Sequence, residues 1–122
     1  MPITYVIDIP RRIIFITATG DIDLATYRKY LEAREADPLY ERTMSAIFDA
    51  REAQFEFSRE NMRWCVEFTK NSLPDTRTKR AIVVSGSHEY GLSRMFQTLS
   101  TNSILEYYVF RDYDAAMDWL LN

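Results

Sequence analysis

Four short apolar runs, at residues 13–18, 46–48, 81–84 and 107–110, are each followed by a stretch whose apolar residues fall at helical spacing. Strand-length runs alternating with helix-length crossovers demand parallel pairing, because a parallel connection needs a dozen or more residues and closes right-handed. A fifth strand precedes them. Tyr5, Ile7 and Ile9 share one face, and Pro10-Arg11-Arg12 turns the chain into the run at 13–18. The pattern predicts an α/β fold: a mostly parallel five-stranded sheet of four βα units, with an antiparallel N-terminal strand at or near one edge.

Local signals set the boundaries. The first run ends at Gly20, and Asp21 caps a helix with the stripe Leu24, Tyr27 and Leu31, which Asp37-Pro38 stops. Ala46-Ile47-Phe48 reads as a brief strand ending at Asp49, followed by a loop. Ser58 then caps a helix burying Met62, Cys65, Val66, Thr69 and Leu73. Ser85-Gly86-Ser87 leads into a third helix with Leu92, Met95, Phe96 and Leu99 as its core stripe, and Asp112 caps a last helix burying Ala116, Trp119 and Leu120.

Composition removes many functions. The chain has 122 residues, with 15 Lys+Arg against 18 Asp+Glu for a formal net charge of -3. That is the size of one domain, residues 1–122, with no charge excess toward nucleic acid or an anionic membrane. One cysteine and one histidine exclude an internal disulfide and a Cys/His zinc cage, so no metal or cofactor is expected. Asp8 and Pro10 interrupt any apolar signal core and no run is long enough to span a membrane, so the expectation is a reduced, cytoplasmic protein.

The hairpin followed by four βα units, the corner Asp49-Ala50-Arg51, the string Tyr90-Gly91-Leu92-Ser93-Arg94-Met95-Phe96-Gln97 and the ending Val109-Phe110-Arg111-Asp112-Tyr113-Asp114-Ala115-Ala116-Met117-Asp118-Trp119-Leu120 resemble the SpoIIAA-like branch of the STAS domains. The resemblance implies a small non-enzymatic regulatory or ligand-binding module, whose superhelix is also similar to Sec14-type lipid carriers. In phosphorylated members the acceptor serine follows the third strand. Here Arg51 occupies that neighbourhood and Ser58 lies downstream as a cap, so the usual phosphoacceptor is missing.

Candidate binding residues follow. Arg51 at a strand-helix corner suits a bound anion, or an ion pair with Asp49 or Glu52. Ser85, Gly86 and Ser87 join a buried strand to a helix, where backbone N–H groups favour a carboxylate or phosphate, or simply form a glycine turn with a serine cap. Tyr90 and Arg94 share a helix face, and Gly91 between them asks for close packing or ligand approach. His88 is the one group titrating near neutrality, yet it has no nucleophile partner, which leaves catalysis through Asp49, Arg51 or His88 the weakest reading. Cys65 lies on an apolar stripe and reads as buried and inert. Lys70, Arg77, Lys79 and Arg80 form a basic, solvated group; Glu106, Asp112, Asp114 and Asp118 leave the end acidic. Phe55, Phe57 and the Trp64/Phe68 pair signal either a wide buried face or an apolar patch for a ligand or second subunit, and hence a possible homodimer. The expected partner is a protein or a small apolar or amphipathic ligand.

Overall fold

In the computed structural model, which describes residues 2–122, the chain runs β1 (Ile3–Asp8), β2 (Ile13–Asp23), α1 (Leu24–Ala36), β3 (Ser45–Glu56), α2 (Arg59–Lys70), β4 (Thr78–Val84), α3 (Ser87–Ser100), β5 (Leu105–Phe110) and α4 (Tyr113–Leu121). The five strands lie in sequence order in one sheet. β1 pairs antiparallel with β2 at the edge, and β2 through β5 are parallel neighbours. The α/β architecture expected from the alternation of apolar runs is the one observed.

Both faces of the sheet are covered, so strand alternation divides the core in two. Ile13, Ile47, Ala81 and Val83 meet Ala116 and Leu120 of α4. Ile14, Ile16, Ala18, Ala46, Ile82, Val84 and Val109 point to the other face, under α1, α2 and α3. There α1 rests on β1 and β2, α3 rests on β5, β4 and β3, and α2 packs chiefly on α3 rather than on a strand. α2 therefore bridges the middle of the sheet instead of sealing it.

Two strands run further than their apolar cores suggest. β2 continues through Gly20, which takes φ 73°, because Ile22 resumes the inward alternation and is 1% exposed. The cap of α1 is therefore Asp23 rather than Asp21; its carboxylate accepts from Thr26 N at 2.8 Å. β3 is twelve residues long and not a three-residue strand with a loop. A bulge opposes Thr17 and Thr19 of β2 with Asp49 and Glu52 of β3, and the ladder then continues to Asp23 and Glu56. Arg51 and Glu52 both face solvent, after which Ala53 and Phe55 return to the core. The corner at Asp49-Ala50-Arg51 is thus mid-strand.

The α2 boundary falls where Ser58 places it. The Ser58 hydroxyl accepts from Asn61 N at 3.1 Å and the Asn61 side chain accepts from Ser58 N at 3.2 Å, a reciprocal cap. α3 departs from expectation. Phe96 is buried, but Met95 and Leu99 are 45% and 52% exposed and Leu92 is half-buried, while Glu89, Ser93 and Ser100 turn inward. Glu89 turns inward because its carboxylate accepts from Phe55 N, and Ser93 lines a cavity beneath the helix. Phe96 supplies the main apolar contact, edge-on to Tyr107 with centroids 4.8 Å apart.

Urea unfolding checks this face assignment. Phe96→Ala is expected to cost about 3–5 kcal/mol, and Leu99→Ala to stay within about 0.5 kcal/mol of the parent.

Candidate functional site

The residues singled out by sequence do not converge on one site. Asp49, Arg51 and Ser85 line a shallow polar depression with Thr17, Ala18 and Glu52. Arg51 is not a free cation there. Its Nη2 and Nε lie 2.8 and 2.9 Å from the two oxygens of Asp49, which holds that carboxyl below its usual range, and its guanidinium sits 5.0 Å over the Tyr113 ring. Of the two readings open for Arg51, the geometry is that of the ion pair with Asp49.

The Ser85-Gly86-Ser87 turn already carries an anion of its own chain. Gly86 is the cap residue of α3, with no side-chain capping bond from either serine. A Cβ on Gly86 would collide with the Glu89 carboxylate, so glycine here permits close approach. Glu89 is buried, and its other oxygen accepts from Phe55 N at 3.0 Å. His88 Nε2 lies 3.1 Å from Phe55 O; since a carbonyl only accepts, this nitrogen donates. Both backbone groups of Phe55, beyond the last β3 residue paired with β4, are thus taken by the first turn of α3.

Tyr90 and Arg94 do meet. Arg94 Nη1 donates to the Tyr90 hydroxyl at 3.1 Å. Arg111 covers the Tyr90 ring at 4.4 Å and donates to Ser85 O at 2.8 Å. This cluster lies outside the depression containing Arg51. Gly91 faces open space, and nothing in the structure explains it.

A second, largely apolar site lies elsewhere, between the sheet and the three helices. A partly open cavity of about 80 Å³ is walled by Ile16, Ile22, Ala46 and Ile82 from the sheet, Tyr27, Tyr30 and Arg34 from α1, Phe57 before α2, Met62 and Cys65 from α2, and Leu92, Ser93 and Phe96 from α3. Phe48, Phe55, Arg80 and Tyr107 complete it. Aromatic contacts join α1 to α2 and the residue before it: Tyr27 is edge-on to Phe57 at 6.1 Å, and Arg28 of α1 lies 4.9 Å over Trp64 of α2, which stacks on Phe68.

Two arginines line this cavity. Arg34 is 7% exposed and Arg80 5%. Arg80 Nη1 donates to the Tyr107 hydroxyl at 3.0 Å and Nη2 to Arg42 O at 3.2 Å. Arg34 Nη1 reaches the Tyr30 hydroxyl at 3.4 Å, and its guanidinium lies 4.8 Å over Tyr40. Burial pushes the Tyr27 phenol well above its ordinary range and that of Tyr30 up to about 12, so these hydroxyls are neutral near pH 7. For both arginines burial is the largest influence and works against the charge, while the neighbouring tyrosine side chains act in its favour.

Sequence reasoning missed both. Arg80 falls in the same basic stretch as Lys70, Arg77 and Lys79, yet it shares strand parity with Ile82 and Val84 and so faces the core. Arg34 lies three residues beyond Leu31 and seven beyond Tyr27, on the helix stripe already identified. Periodicity carried the signal in each case, and charge concealed it.

Among the described residues, no group of three or more His, Cys, Asp or Glu side chains stands together as for a metal ion, and no helix is long and apolar enough to cross a membrane. No family model and no curated protein matches the chain. Among solved structures, it is similar to an uncharacterised protein of the DUF3478 family with a SpoIIAA-like fold from Shewanella loihica PV-4. That likeness has 18% identity and a TM-score of 0.62 and covers 97% of this chain and 93% of the other.

Cys65 tests the enclosure of the cavity. Burial pushes its thiol up to about 12, so it is expected to be inert to a chromogenic disulfide reagent at pH 8 and to react fully once urea unfolds the chain. The full-length likeness, the strand order and the antiparallel edge together establish that this chain has the SpoIIAA-like fold.

Proposed function

We propose that this protein is a non-enzymatic module that binds a small amphipathic molecule in the cavity beneath α2. The observation that carries the reading is the cavity itself. Its wall combines aliphatic and aromatic surface with a few convergent polar groups, the usual constitution of a small-molecule site. α2 packs chiefly on α3, and it and the residue before it, Phe57, are tied to α1 by Arg28–Trp64 and Tyr27–Phe57, contacts that can open without dismantling the sheet.

The alternative of a protein-binding surface around Asp49, Arg51, Tyr90 and Arg94 draws less support. Arg51 is spent on Asp49, and the loop in which that surface was expected is a β-strand. A catalytic reading is weaker still, because the His88 ring is engaged by a backbone carbonyl and the Cys65 thiol is buried.

Saturation-transfer NMR with pentanol, paired with native mass spectrometry of the purified protein, tests the proposal. Transfer to the alkyl protons is expected with the parent and should vanish in Ala46→Leu, which fills the cavity from β3. No transfer from the parent, together with a native mass equal to that of the bare chain, would refute it.

A further inference from the structure

From the two buried arginines we infer that the ligand is a small organic monoanion, a carboxylate on an apolar body, with its head group held between Arg34 and Arg80. This deepens the cavity reading and rests on it. Charge accounting carries the inference. Arg80 has no carboxylate partner among the described residues; its bonds go to a neutral hydroxyl and a backbone carbonyl. Arg34 has one ion pair, Nη2 to Glu35 Oε2 at 3.2 Å, but Glu35 also accepts from Arg42 at 2.9 Å. Arg34 Nε is buried with no hydrogen-bond partner.

Guanidinium groups taken out of water this completely are strongly unfavourable unless a counter-charge and hydrogen bonds replace the lost solvent. The Arg34–Glu35 pair accounts for one such group, which leaves one buried positive charge on Arg80 and one unpartnered N–H on Arg34, two residues that line the same cavity. The two guanidiniums also repel one another, since Arg34 acts on Arg80 to disfavour its charge. An anion lying between them would remove the repulsion, take up the unpartnered donor, and receive the forked N–H geometry that suits carboxylates.

The surroundings favour a single charge and a small head. The phenol oxygens of Tyr30 and Tyr107 accept from these arginines, which leaves each O–H to donate to an oxygen, and no second unpaired cation stands beside them to balance a dianion. Ile16, Ile22, Met62 and Phe96 form the apolar remainder of the wall. A volume of about 80 Å³ has room for several waters or a short alkyl chain, and the partly open side allows a longer body to extend outward.

Pentanoate, pentanamide and inorganic phosphate are the probes, each titrated into the full chain by calorimetry and followed by NMR. The parent should bind pentanoate about tenfold tighter than its uncharged amide, with phosphate weaker than pentanoate. Arg80→Met and Arg34→Met should abolish that preference while leaving pentanamide affinity within about twofold, and Arg80→Met should melt no lower than the parent, as expected when a buried unpaired charge is replaced by an apolar group of similar volume. Because the acid-to-amide ratio is measured on the parent, a variant that fails to fold does not blunt the test. Equal binding of acid and amide by the parent overturns the anion site and leaves the cavity reading standing. Binding of neither probe overturns both. Phosphate binding as tightly as pentanoate overturns the apolar-body assignment, and a retained preference in both variants overturns the roles of Arg34 and Arg80.

Discussion

The strand side chains of this protein are divided between two compartments by the two-residue alternation of strands whose opposite faces are both covered. β4 shows the rule with least interference. Ala81 and Val83 belong to the α4 side; Arg80, Ile82 and Val84 belong to the side of α1, α2 and α3. The first side is closed by one short helix directly on the sheet. On the second, α1 stands on β1 and β2 and α3 on β5, β4 and β3, while α2 packs chiefly on α3. A cavity follows from that spacing, and the alternation determines that an arginine rather than an alanine lines it.

How much of this was legible in the residues depended on whether local patterns were regular. The order of elements, the helix capped by Ser58, the end of α1 at Asp37-Pro38 and the burial of Cys65 follow from spacing and capping chemistry that the folded chain preserves. β3 did not, because its alternation is interrupted at Arg51-Glu52 and so reads as the end of a strand. The α3 stripe was misjudged because Met95 and Leu99 have helical spacing, while the face that turns inward is occupied by Glu89, Ser93 and Ser100. Sequence records the period of a helix more plainly than the polarity of what lies beneath it. For the same reason only an excess of aromatics signals the cavity in the sequence, where Arg80 reads as part of a solvated basic group and Arg34 is not marked out.

The two tyrosine–arginine clusters show what burial does to the same chemistry. Tyr90 is flanked by Arg94 and Arg111, whose side chains are exposed, and such contacts are worth about 0.5–1 kcal/mol in water. Arg34 against Tyr30 and Tyr40 makes the same contact out of solvent, where it is worth about 2 kcal/mol or more. That gain offsets part of the cost of desolvating the guanidinium and helps to keep Arg34 charged inside the fold. Aromatic content, which by itself says little about function, is in this chain partly a medium for holding cations away from water.

The bulge in β3 bears on how this chain can change in length. It places two consecutive residues, Arg51 and Glu52, outward, so the strand contains one more residue than its ladder requires. Losing either one would leave Ala50, Ala53 and Phe55 on the side they already occupy, whereas losing a residue elsewhere in β3 would exchange the two faces of everything between that point and the bulge, or beyond it. Tolerance to insertion and deletion, usually a property of loops, is thus concentrated here within a strand, a short distance along the same ladder from residues that line the cavity.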